Sequence, residues 1–395
     1  MIKQENKITL QLLTFGLVLN YIFDGVNKLS TLYYPAFSRT AIFYRIIFEL
    51  LSILLILIFL NKTRLQFFLY FIYFLVSFFI GNFHLKYFIG IDIGIPAQFI
   101  YFNKYFFIFF IFYATYKTLK IKENQLYLIQ LFKKIFLFNG VLAILGILLK
   151  IRLFDSTPKG TPRFGYDGLI LAQNEASIFY LLALFVFYYD WKQKRTSNKI
   201  FFLVVFLSFL TGMKAVIVGI LLLGVYHLFI TVNIKKLKYI LLGSFFIPFL
   251  LIKYVAKIKV MFGYYYYFLM KQGFIYTFLG GRNTFIESRI IPLLNKWGFI
   301  NYLIGGQNVS NTNDYLSLIE MDFVDLVLFF GILNAIVFFY LYKKIIIGEI
   351  KTKYYLFVIS VFMLLAFFSG HFFTSSINSI YIIIVFPYLR QVNHE

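Results

Sequence analysis

The chain has 395 residues, of which 61% are hydrophobic and only 14% are charged. A soluble domain carries charge at about a quarter of its positions, so this composition excludes an ordinary soluble protein. The formal net charge of +22 would suggest nucleic acid for a soluble chain. In a membrane protein it reflects the excess of Lys and Arg in cytoplasmic loops, and we expect no nucleic-acid partner.

Apolar runs long enough to cross a bilayer, about 20 residues each, recur along the whole chain. They predict an all-α polytopic membrane protein with about twelve transmembrane helices in a single domain, 1–395. The seventh and eighth spans are short, and Gly212 between them permits a sharp turn. The predicted spans are 8–25, 41–60, 65–81, 97–116, 127–148, 169–190, 200–212, 214–231, 239–255, 315–341, 354–370 and 377–390.

Five short loops rich in Lys and Arg alternate with weakly charged ones. Such loops stay in the cytoplasm, so a multi-pass chain with both termini cytoplasmic is predicted. The basic residues of these loops are Lys62 and Arg64; Lys117, Lys120 and Lys122; Lys192, Lys194, Arg195 and Lys199; Lys235, Lys236 and Lys238; and Lys343, Lys344, Lys351 and Lys353.

Two external segments, 149–168 and 256–314, are longer than the other outer loops, and the second is by far the largest loop of the chain. We expect the active site to form between them on the outer face. The aromatic stretch 261–268 favours the membrane interface, where Tyr rings are enriched. If residues 283–295 are helical, side chains recur on one face about every 3.6 residues.

Arginine is the notable residue of these external segments. Arg163 lies in the first, and Arg282 and Arg289 lie in the second. A spacing of seven residues is close to two helical turns, which would place Arg282 and Arg289 on one face. Because a guanidinium pairs well with phosphate oxygens, the three arginines are predicted to clamp a diphosphate leaving group and are our catalytic candidates.

Polar residues at the outer ends of the spans are candidates for substrate binding, because they are unlikely to face lipid. Asn174 and Glu175 open the sixth span, and their side chains suit sugar hydroxyls; hydrogen bonds between helices are the alternative. Lys214 follows the turn after the seventh span, with snorkelling to water as its alternative. In the second span, Arg45 and Glu49 are expected to pair, since they are four residues apart.

The acidic group Glu320, Asp322 and Asp325 precedes an apolar run. Asp322 and Asp325 share a helix face, whereas Glu320 does not. We predict Asp322 as a general base that takes a proton from an acceptor hydroxyl, with a structural ion pair as the alternative. Glu320, Asp325 and His371, the last at the outer end of the eleventh span, are substrate-binding candidates; His371 has an interfacial role as its alternative.

Motifs for metals and nucleotides are missing from the sequence. There is no Cys, no Asp-x-Asp and no His-x-x-x-His, so no metal site is predicted. No glycine-rich loop suited to nucleoside triphosphates is present either. These observations disfavour a nucleotide-driven pump and a cytoplasmic nucleotide-sugar transferase.

The order of motifs over roughly 160–335 resembles one family. In chain order they are Arg163-Phe164-Gly165 before a span that contains Asn174, Leu-Thr-Gly-Met-Lys at 210–214, Gly-Gly-Arg at 280–282, Trp-Gly at 297–298, Ile-Gly-Gly at 304–306, and Glu-Met-Asp-Phe-Val-Asp at 320–325 leading to Phe-Phe-Gly-Ile. In this order and on the outer side of the membrane, they resemble the O-antigen and capsule repeat-unit polymerases. These are the Wzy-like members of the superfamily that includes the O-antigen ligases.

The resemblance implies a metal-independent, inverting, GT-C-like membrane glycosyltransferase of the bacterial inner membrane. It would join undecaprenyl-diphosphate-linked repeat units into O-antigen, capsular or exopolysaccharide on the periplasmic face. Donor and acceptor are both lipid-linked oligosaccharides, no cofactor is needed, and a chain-length regulator is an implied partner. The family's functional arginines carry onto Arg163 and Arg282, and Arg289 is a further candidate.

Three alternative functions lead to different expectations for the sequence. An O-antigen ligase usually has a histidine before the span that follows its large loop, and residues 311–314 contain none, which favours a polymerase. A flippase or other secondary transporter would place its polar groups near the membrane midplane, whereas here they gather at the outer face. A scaffolding protein has no need for the ordered arginines.

Overall fold

In the computed structural model, described residues are 2–37, 39–90, 94–156, 164–231, 263–306, 319–368 and 370–391. They form helices and contain no β-strand; the isolated bridge between Asp155 and Tyr166 is the one β-type pairing in these ranges. The helices are α1 (Ile2–Tyr33), α2 (Thr40–Ile58), α3 (Lys62–Tyr87), α4 (Ile95–Leu119), α5 (Lys122–Leu149), α6 (Gln173–Lys192), α7 (Asn198–Leu210), α8 (Lys214–Thr231), α9 (Gly263–Leu279), α10 (Arg282–Phe285, a π turn Ile286–Ile290, and Ile291–Leu294), α11 (Phe299–Ile304), α12 (Asp322–Tyr342, continued by a π turn Lys343–Ile347), α13 (Lys353–Phe368) and α14 (Ser376–Arg390).

The helices confirm a helical membrane protein. Seven of those described, α1 to α5, α8 and α12, are long and apolar enough to cross a bilayer. Helices α7, α13 and α14 are apolar but shorter. Eleven of the twelve predicted spans coincide with a helix. The remaining one, 239–255, lies outside the described residues. The condition for the arginine spacing, a helix over residues 283–295, is met by α10, which contains a π turn.

Helix α6 forms the centre of the bundle. Every residue from Ala176 to Asp190 is buried, and α6 contacts α5, α7, α8 and α14. A helix that is buried all round belongs in the interior of a bundle. The polar residues at its first turn are therefore held in place by neighbours on several sides.

The helices run between two ends of the bundle. One end joins the starts of α1 and α3 to the end of α4, and the four basic loops within the described residues lie there. The other end brings together the starts of α6, α12 and α14, where Asn378 donates to the Glu175 carbonyl oxygen at 2.9 Å. We call them the basic end and the cavity end, after the cavity described below.

A fully buried arginine anchors the basic end. The Arg64 guanidinium has no exposed surface and lies 2.8 Å from the Glu5 carboxylate. It also donates to the carbonyl oxygens of Tyr113 and Ala114, at 2.9 and 3.1 Å. Lys117 binds the other Glu5 oxygen at 2.8 Å. A charge buried at this depth is tolerated because its donors are satisfied, and the network ties α1, α3 and α4 together.

A second polar group near the basic end joins α5, α6 and α14. The Asp190 carboxylate of α6 pairs with Lys133 of α5 and accepts a hydrogen bond from the Tyr388 hydroxyl of α14. All three side chains are buried. The helices that surround α6 are thus fixed by charge pairing as well as by apolar packing.

Close glycine contacts place α11 against α12. Gly331 has φ +70° and interrupts the helical geometry of α12. A Cβ added to Gly305, which follows α11, would lie 2.4 Å from the Gly331 nitrogen. The buried Asn301 side chain donates to the carbonyl oxygens of Gly305 and of Gly81 in α3, at 2.8 and 3.1 Å. These contacts fix the end of α11 against the middle of α12 and against α3.

The expected pairing within α2 is wrong. Arg45 reaches the Asp24 carboxylate of α1 at 3.4 Å, and the Glu49 carboxylate accepts a hydrogen bond from Asn103 of α4 at 2.5 Å. Spacing along one helix gave no information on these partners, because both side chains face neighbouring helices.

We predict that Arg64→Met lowers the free energy of unfolding by about 3–5 kcal/mol, because it leaves the Glu5 carboxylate buried without its main partner. Lys117→Met is the matched control. Its side chain is 34% exposed, so its loss should cost about 0–1 kcal/mol. Thermal unfolding of the two purified variants in detergent micelles measures the difference. Equal destabilisation by both would contradict a central role for Arg64.

Candidate functional site

A cavity of about 1230 Å³ lies at the cavity end. A typical ligand cleft encloses about 300–1,000 Å³, so this one is large. Its lining combines charged groups with an apolar wall. The polar lining residues are Lys28, Thr31, Lys104, Arg152, Asp155, Ser156, Gln173, Asn174, Glu175, Ser177, Lys214, Arg282, Glu320, His371 and Thr374.

Glu320 is the meeting point of four predicted site residues. Its carboxylate lies 2.6 Å from Arg282 Nη2 and accepts a hydrogen bond from Asn174 Nδ2 at 3.1 Å. His371 Nε2 is 3.6 Å from the other oxygen. The four residues come from α10, the start of α6 and the connections before α12 and α14. Distant parts of the sequence are therefore brought to one carboxylate.

The charges of this group stabilise one another. Burial would raise the pKa of Glu320, but the hydrogen bond and charge of His371 and the charge of Arg282 outweigh it and lower this pKa to about 2. Burial would lower the pKa of His371, but Glu320, Asp322 and Glu175 outweigh it and raise this pKa above 6.5. Near neutral pH, the Glu320 carboxylate is therefore ionised beside the Arg282 guanidinium, and its charge favours the protonated form of His371.

Unusual backbone conformations hold Glu320 and His371. Their φ angles are +61° and +66°, a left-handed region that costs a residue with a side chain of order 1–3 kcal/mol. Gly370 brings the two segments together, since a Cβ there would lie 2.4 Å from the Glu320 carbonyl carbon. The surrounding contacts must therefore stabilise both conformations.

The carboxylates of Asp322 and Asp325 supply those contacts. Asp322 accepts from the backbone N–H groups of His371, Phe372 and Phe373, at 2.7, 2.6 and 3.1 Å. Asp325 accepts from the N–H groups on either side of Glu320, those of Ile319 and Met321, at 3.0 and 3.2 Å.

Asp322 and Asp325 are 1% and 2% exposed, and neither lines the cavity. A general base must reach the proton that it abstracts, so this geometry does not favour the base role predicted for Asp322. Substrate binding by Asp325 is disfavoured for the same reason. Both aspartates instead hold the backbone that carries Glu320 and His371.

The predicted turn after the seventh span contacts two paired segments, 152–156 and 164–168, which we call the hairpin. Residues 152–156 and 164–168 pair through the Asp155–Tyr166 bridge, and the Tyr166 N–H donates to the Leu210 carbonyl oxygen at 2.9 Å. A Cβ added to Gly212, whose φ is +63°, would lie 1.9 Å from the Phe164 carbonyl oxygen. Only glycine fits this contact.

The three remaining predicted cations are Arg163, Arg289 and Lys214, and of the two that the structure describes only Lys214 lines the cavity. Arg163 lies outside the described residues, immediately before Phe164. Arg289 is stacked over the Phe285 ring, 5.1 Å from its centroid, and does not line the cavity. The π turn of α10 widens the helix, so seven residues no longer equal two turns. Lys214 lines the cavity and donates to the Thr277 carbonyl oxygen at 2.6 Å.

Sequence reasoning missed Lys28 and Lys104, and it did not single out Arg152 and Asp155 within the predicted external segment 149–168. Lys28 of α1 is 2.5 Å from the buried Asp167 carboxylate and 2.8 Å from the Gly168 carbonyl oxygen. Lys104 of α4 lies 4.5 Å from the Tyr101 ring centroid. Arg152 and Asp155 belong to the hairpin. A lysine inside an apolar span is costly unless its side chain faces a polar cavity. This signal could have identified Lys104, which lies in the predicted span 97–116.

Glu175 differs from Glu320 in the contacts of its carboxylate. Within the described part of the chain, its side chain has no hydrogen bond or ion pair, whereas Glu320 has three polar neighbours. An ionisable side chain at the start of a central helix, facing a cavity, can exchange a proton with a bound molecule. Among the ranges that the structure describes, no cluster of three or more acidic or histidine side chains could hold a metal ion.

The apolar part of the cavity lining, which we call the apolar groove, is formed mainly by α8 and α13. It runs along α8 from Lys214 to Leu222, roughly 12 Å at the helical rise of 1.5 Å per residue. Leu181 of α6 lines it as well. The other apolar lining residues are Ala215, Ile217, Val218 and Gly219 of α8 and Val361, Leu364, Leu365 and Phe368 of α13.

The chain was compared with protein-family models, with curated proteins and with solved structures, and nothing matches in any of the three. The functional conclusion therefore depends on the geometry of the cavity and on the sequence motifs.

We predict that thermal stability depends on pH through Glu320 and His371. Because the pKa of His371 is raised, its contribution is complete below 6.5 and is lost as the pH rises through the folded-state value. Because the pKa of Glu320 is lowered from 4.5, its contribution is complete above 4.5 and is lost as the pH falls toward 2. Glu320→Gln should remove the acidic dependence and weaken the one due to His371, because Asp322 and Glu175 still act on that imidazole.

The control for this pH prediction is Glu349→Gln. Glu349 pairs with Lys351 at the basic end, and its side chain is 79% exposed, so the variant should follow the wild-type curve. Thermal unfolding in detergent across acidic to mildly alkaline pH is the measurement. A wild-type curve that Glu320→Gln leaves unchanged would refute the coupling.

Proposed function

We propose that this chain is a GT-C-like membrane glycosyltransferase that polymerises undecaprenyl-diphosphate-linked repeat units, as the resemblance to the Wzy-like polymerases implies. The observation that supports it best is a single cavity that is cationic at the cavity end and continues as an apolar groove. A lipid diphosphate has the same two parts, an anionic head and an apolar tail.

The head of the donor would lie beside Arg282, His371 and Lys214. Arg282 and His371 flank Glu320 at 2.6 and 3.6 Å, and both of them line the cavity with Lys214. The start of α6 faces the same space, and a helix N-terminus favours anions through its free N–H groups. Arg163, predicted from the motif order, would add a further guanidinium.

The tail of the donor would lie in the groove between α8 and α13. Val218 and Leu364 line this groove and are 45% and 48% exposed. Exposed apolar side chains next to a polar cavity suit a prenyl chain that enters from the bilayer. Burying each methylene of such a chain contributes about 0.8 kcal/mol.

The reaction is a single displacement at the anomeric carbon of the donor. The acceptor hydroxyl oxygen forms the new glycosidic bond as the bond between the anomeric carbon and the diphosphate oxygen breaks, and the configuration inverts. The hydroxyl proton passes to the Glu175 carboxylate, which acts as the general base in place of Asp322. The cations around the diphosphate stabilise the negative charge that develops there, and the diphosphate-linked sugar is already activated.

The basic loops orient the proposed enzyme. Basic loops favour the cytoplasmic side, so the basic end would face the cytoplasm, with both termini, and the cavity end would face the periplasm of a bacterial inner membrane. The described ends of α1 and α14 are both at the basic end, where Arg64 contacts Glu5 and the Tyr189 hydroxyl donates to the Gln391 carbonyl oxygen.

The competing functions make different demands on the cavity. A transporter needs its binding groups near the midplane, whereas Asn174, Glu320 and His371 lie at helix ends. A ligase would use the same donor site and would differ in its acceptor, so its product distinguishes it. A chain-length regulator is the protein partner that the resemblance implies.

We predict that Arg282→Gln lowers the rate of chain elongation at least 100-fold, the usual scale for removing one group that stabilises the charge of a transition state. Arg289→Gln, seven residues on, should keep a near wild-type rate because it does not line the cavity. Glycan length on a lipid-linked substrate, with purified enzyme in liposomes, is the measurement. Long chains from Arg282→Gln would overturn the proposal.

We predict that Leu364→Trp lowers the rate of elongation about tenfold or more, because filling an apolar site typically costs 1–3 kcal/mol. Leu356→Trp is the matched control: it lies on the same helix, is 51% exposed and does not line the cavity. The defect should shrink when the natural lipid is replaced by a short prenyl chain. An equal loss with both lipids would place the tail elsewhere.

A further inference from the structure

The groups proposed to hold the donor diphosphate already hold a carboxylate of this chain. Arg282 Nη2 lies 2.6 Å from one oxygen of Glu320, and Asn174 Nδ2 donates to the same oxygen at 3.1 Å. His371 Nε2 lies 3.6 Å from the other oxygen. Because carboxylate and phosphate oxygens bind a guanidinium in the same way, Glu320 occupies the position at which a diphosphate oxygen would pair with Arg282.

Backbone carbonyl oxygens also hold the Arg282 guanidinium in place. Its Nε donates to the Ile319 carbonyl oxygen at 3.1 Å. Its Nη1 donates to the carbonyl oxygens of Leu279 and Phe368, at 2.9 and 3.3 Å. A ligand can therefore replace the Glu320 carboxylate at Nη2 while the guanidinium keeps its position.

The Glu320 side chain has room to move, whereas its backbone is anchored. The side chain is 43% exposed and lines the cavity of about 1230 Å³. The buried Asp325 carboxylate accepts from the backbone N–H groups of Ile319 and Met321, on either side of Glu320. Rotation about the side-chain bonds can therefore move the Glu320 carboxylate into open space without a change in the backbone.

The product of the proposed reaction needs a way to leave these cations. Its terminal phosphate has an additional ionisable oxygen, which in the donor forms the bond to the sugar. Cations that stabilise the leaving group in the transition state therefore hold the product more tightly than the donor. An anion of the protein that returns to the same cations would offset this difference, and Glu320 is placed to do so.

We propose that Glu320 is an exchangeable carboxylate, which the donor diphosphate displaces from Arg282 and His371 and which returns to them to release the lipid diphosphate product. The exchange breaks no covalent bond, because one anion replaces another on the same donors. Glu320 acts through these two cations and not on the reacting atoms. This inference rests on the proposed function, because the product that is released comes from that reaction.

A purely structural ion pair would have the opposite effect on binding. If Glu320 only held Arg282 and His371 in position, its loss would displace both cations and weaken the binding of a diphosphate. If Glu320 competes for them, its loss strengthens that binding and slows the release of the product. The sign of the change in affinity therefore distinguishes the two roles.

The main test variant is Glu320→Gln, studied as the purified full chain in nanodiscs. It should bind undecaprenyl diphosphate at least about tenfold more tightly than the wild type, the scale of one hydrogen bond to a charged group. In elongation assays with the lipid-linked donor, KM and kcat should both fall. The first linkage should form as a burst, followed by a slower steady state that is limited by release of the product.

Two further variants separate the exchange from a general effect of charge. Glu320→Asp keeps the charge but shortens the side chain, so it no longer reaches Arg282, and aspartate tolerates a left-handed φ better than glutamate does. It should also bind more tightly than the wild type. Asp155→Asn removes a carboxylate from the same cavity, where the cations that act on the pKa of Asp155 are Lys28 and Arg152. Its affinity should stay close to that of the wild type.

The outcomes separate the exchange from the proposed function. Affinity for undecaprenyl diphosphate that is unchanged or weaker in both Glu320 variants would overturn the exchange, and the proposed function would stand if Arg282→Gln loses the binding that the wild type shows. An increase as large in Asp155→Asn as in Glu320→Gln would also overturn the exchange, by assigning the effect to overall charge. No saturable binding by the wild type or by either Glu320 variant would overturn the proposed function, and the exchange with it.

Discussion

The candidate site depends on one ion pair, in which the Glu320 carboxylate lies 2.6 Å from the Arg282 guanidinium. His371 completes the group at 3.6 Å. Charges at the edge of a membrane need partners, because desolvation is costly there. This pair joins α10 to the segment before α12, and so the large loop to the bundle. Lys214 adds a second charged contact of the loop, by donating to the Thr277 carbonyl oxygen at 2.6 Å.

The same constraint explains the two ends of the bundle. Arg64 at the basic end is saturated by the Glu5 carboxylate and backbone carbonyl oxygens, so its charge is entirely structural. At the cavity end, charged groups of both signs face an open space of about 1230 Å³. A basic end with fully paired charges and a cavity end with an open space suit a protein that binds a lipid head group on one face of the membrane, as proposed.

Sequence reasoning identified many of the cavity residues and assigned several roles differently. Asn174, Glu175, Lys214, Arg282, Glu320 and His371 all line the cavity. The motif order and the position at span ends were sufficient to select them. The roles of Asp322 and Asp325 depended on which backbone N–H groups they meet, and those come partly from residues about fifty positions away. Arg289 was paired with Arg282 on regular helical spacing, which a π turn interrupts.

The sequence by itself determined the helical membrane class, the positions of the helices and the end at which polar groups collect. These follow from hydrophobic run length and loop charge, which are local properties. Only the tertiary structure decided that Lys28 and Lys104 share a cavity with Arg282, that Arg45 pairs with Asp24 instead of Glu49, and that α6 is central. Those facts depend on which helix faces lie against each other, and nearly uniform apolar helices carry no local signal for that choice.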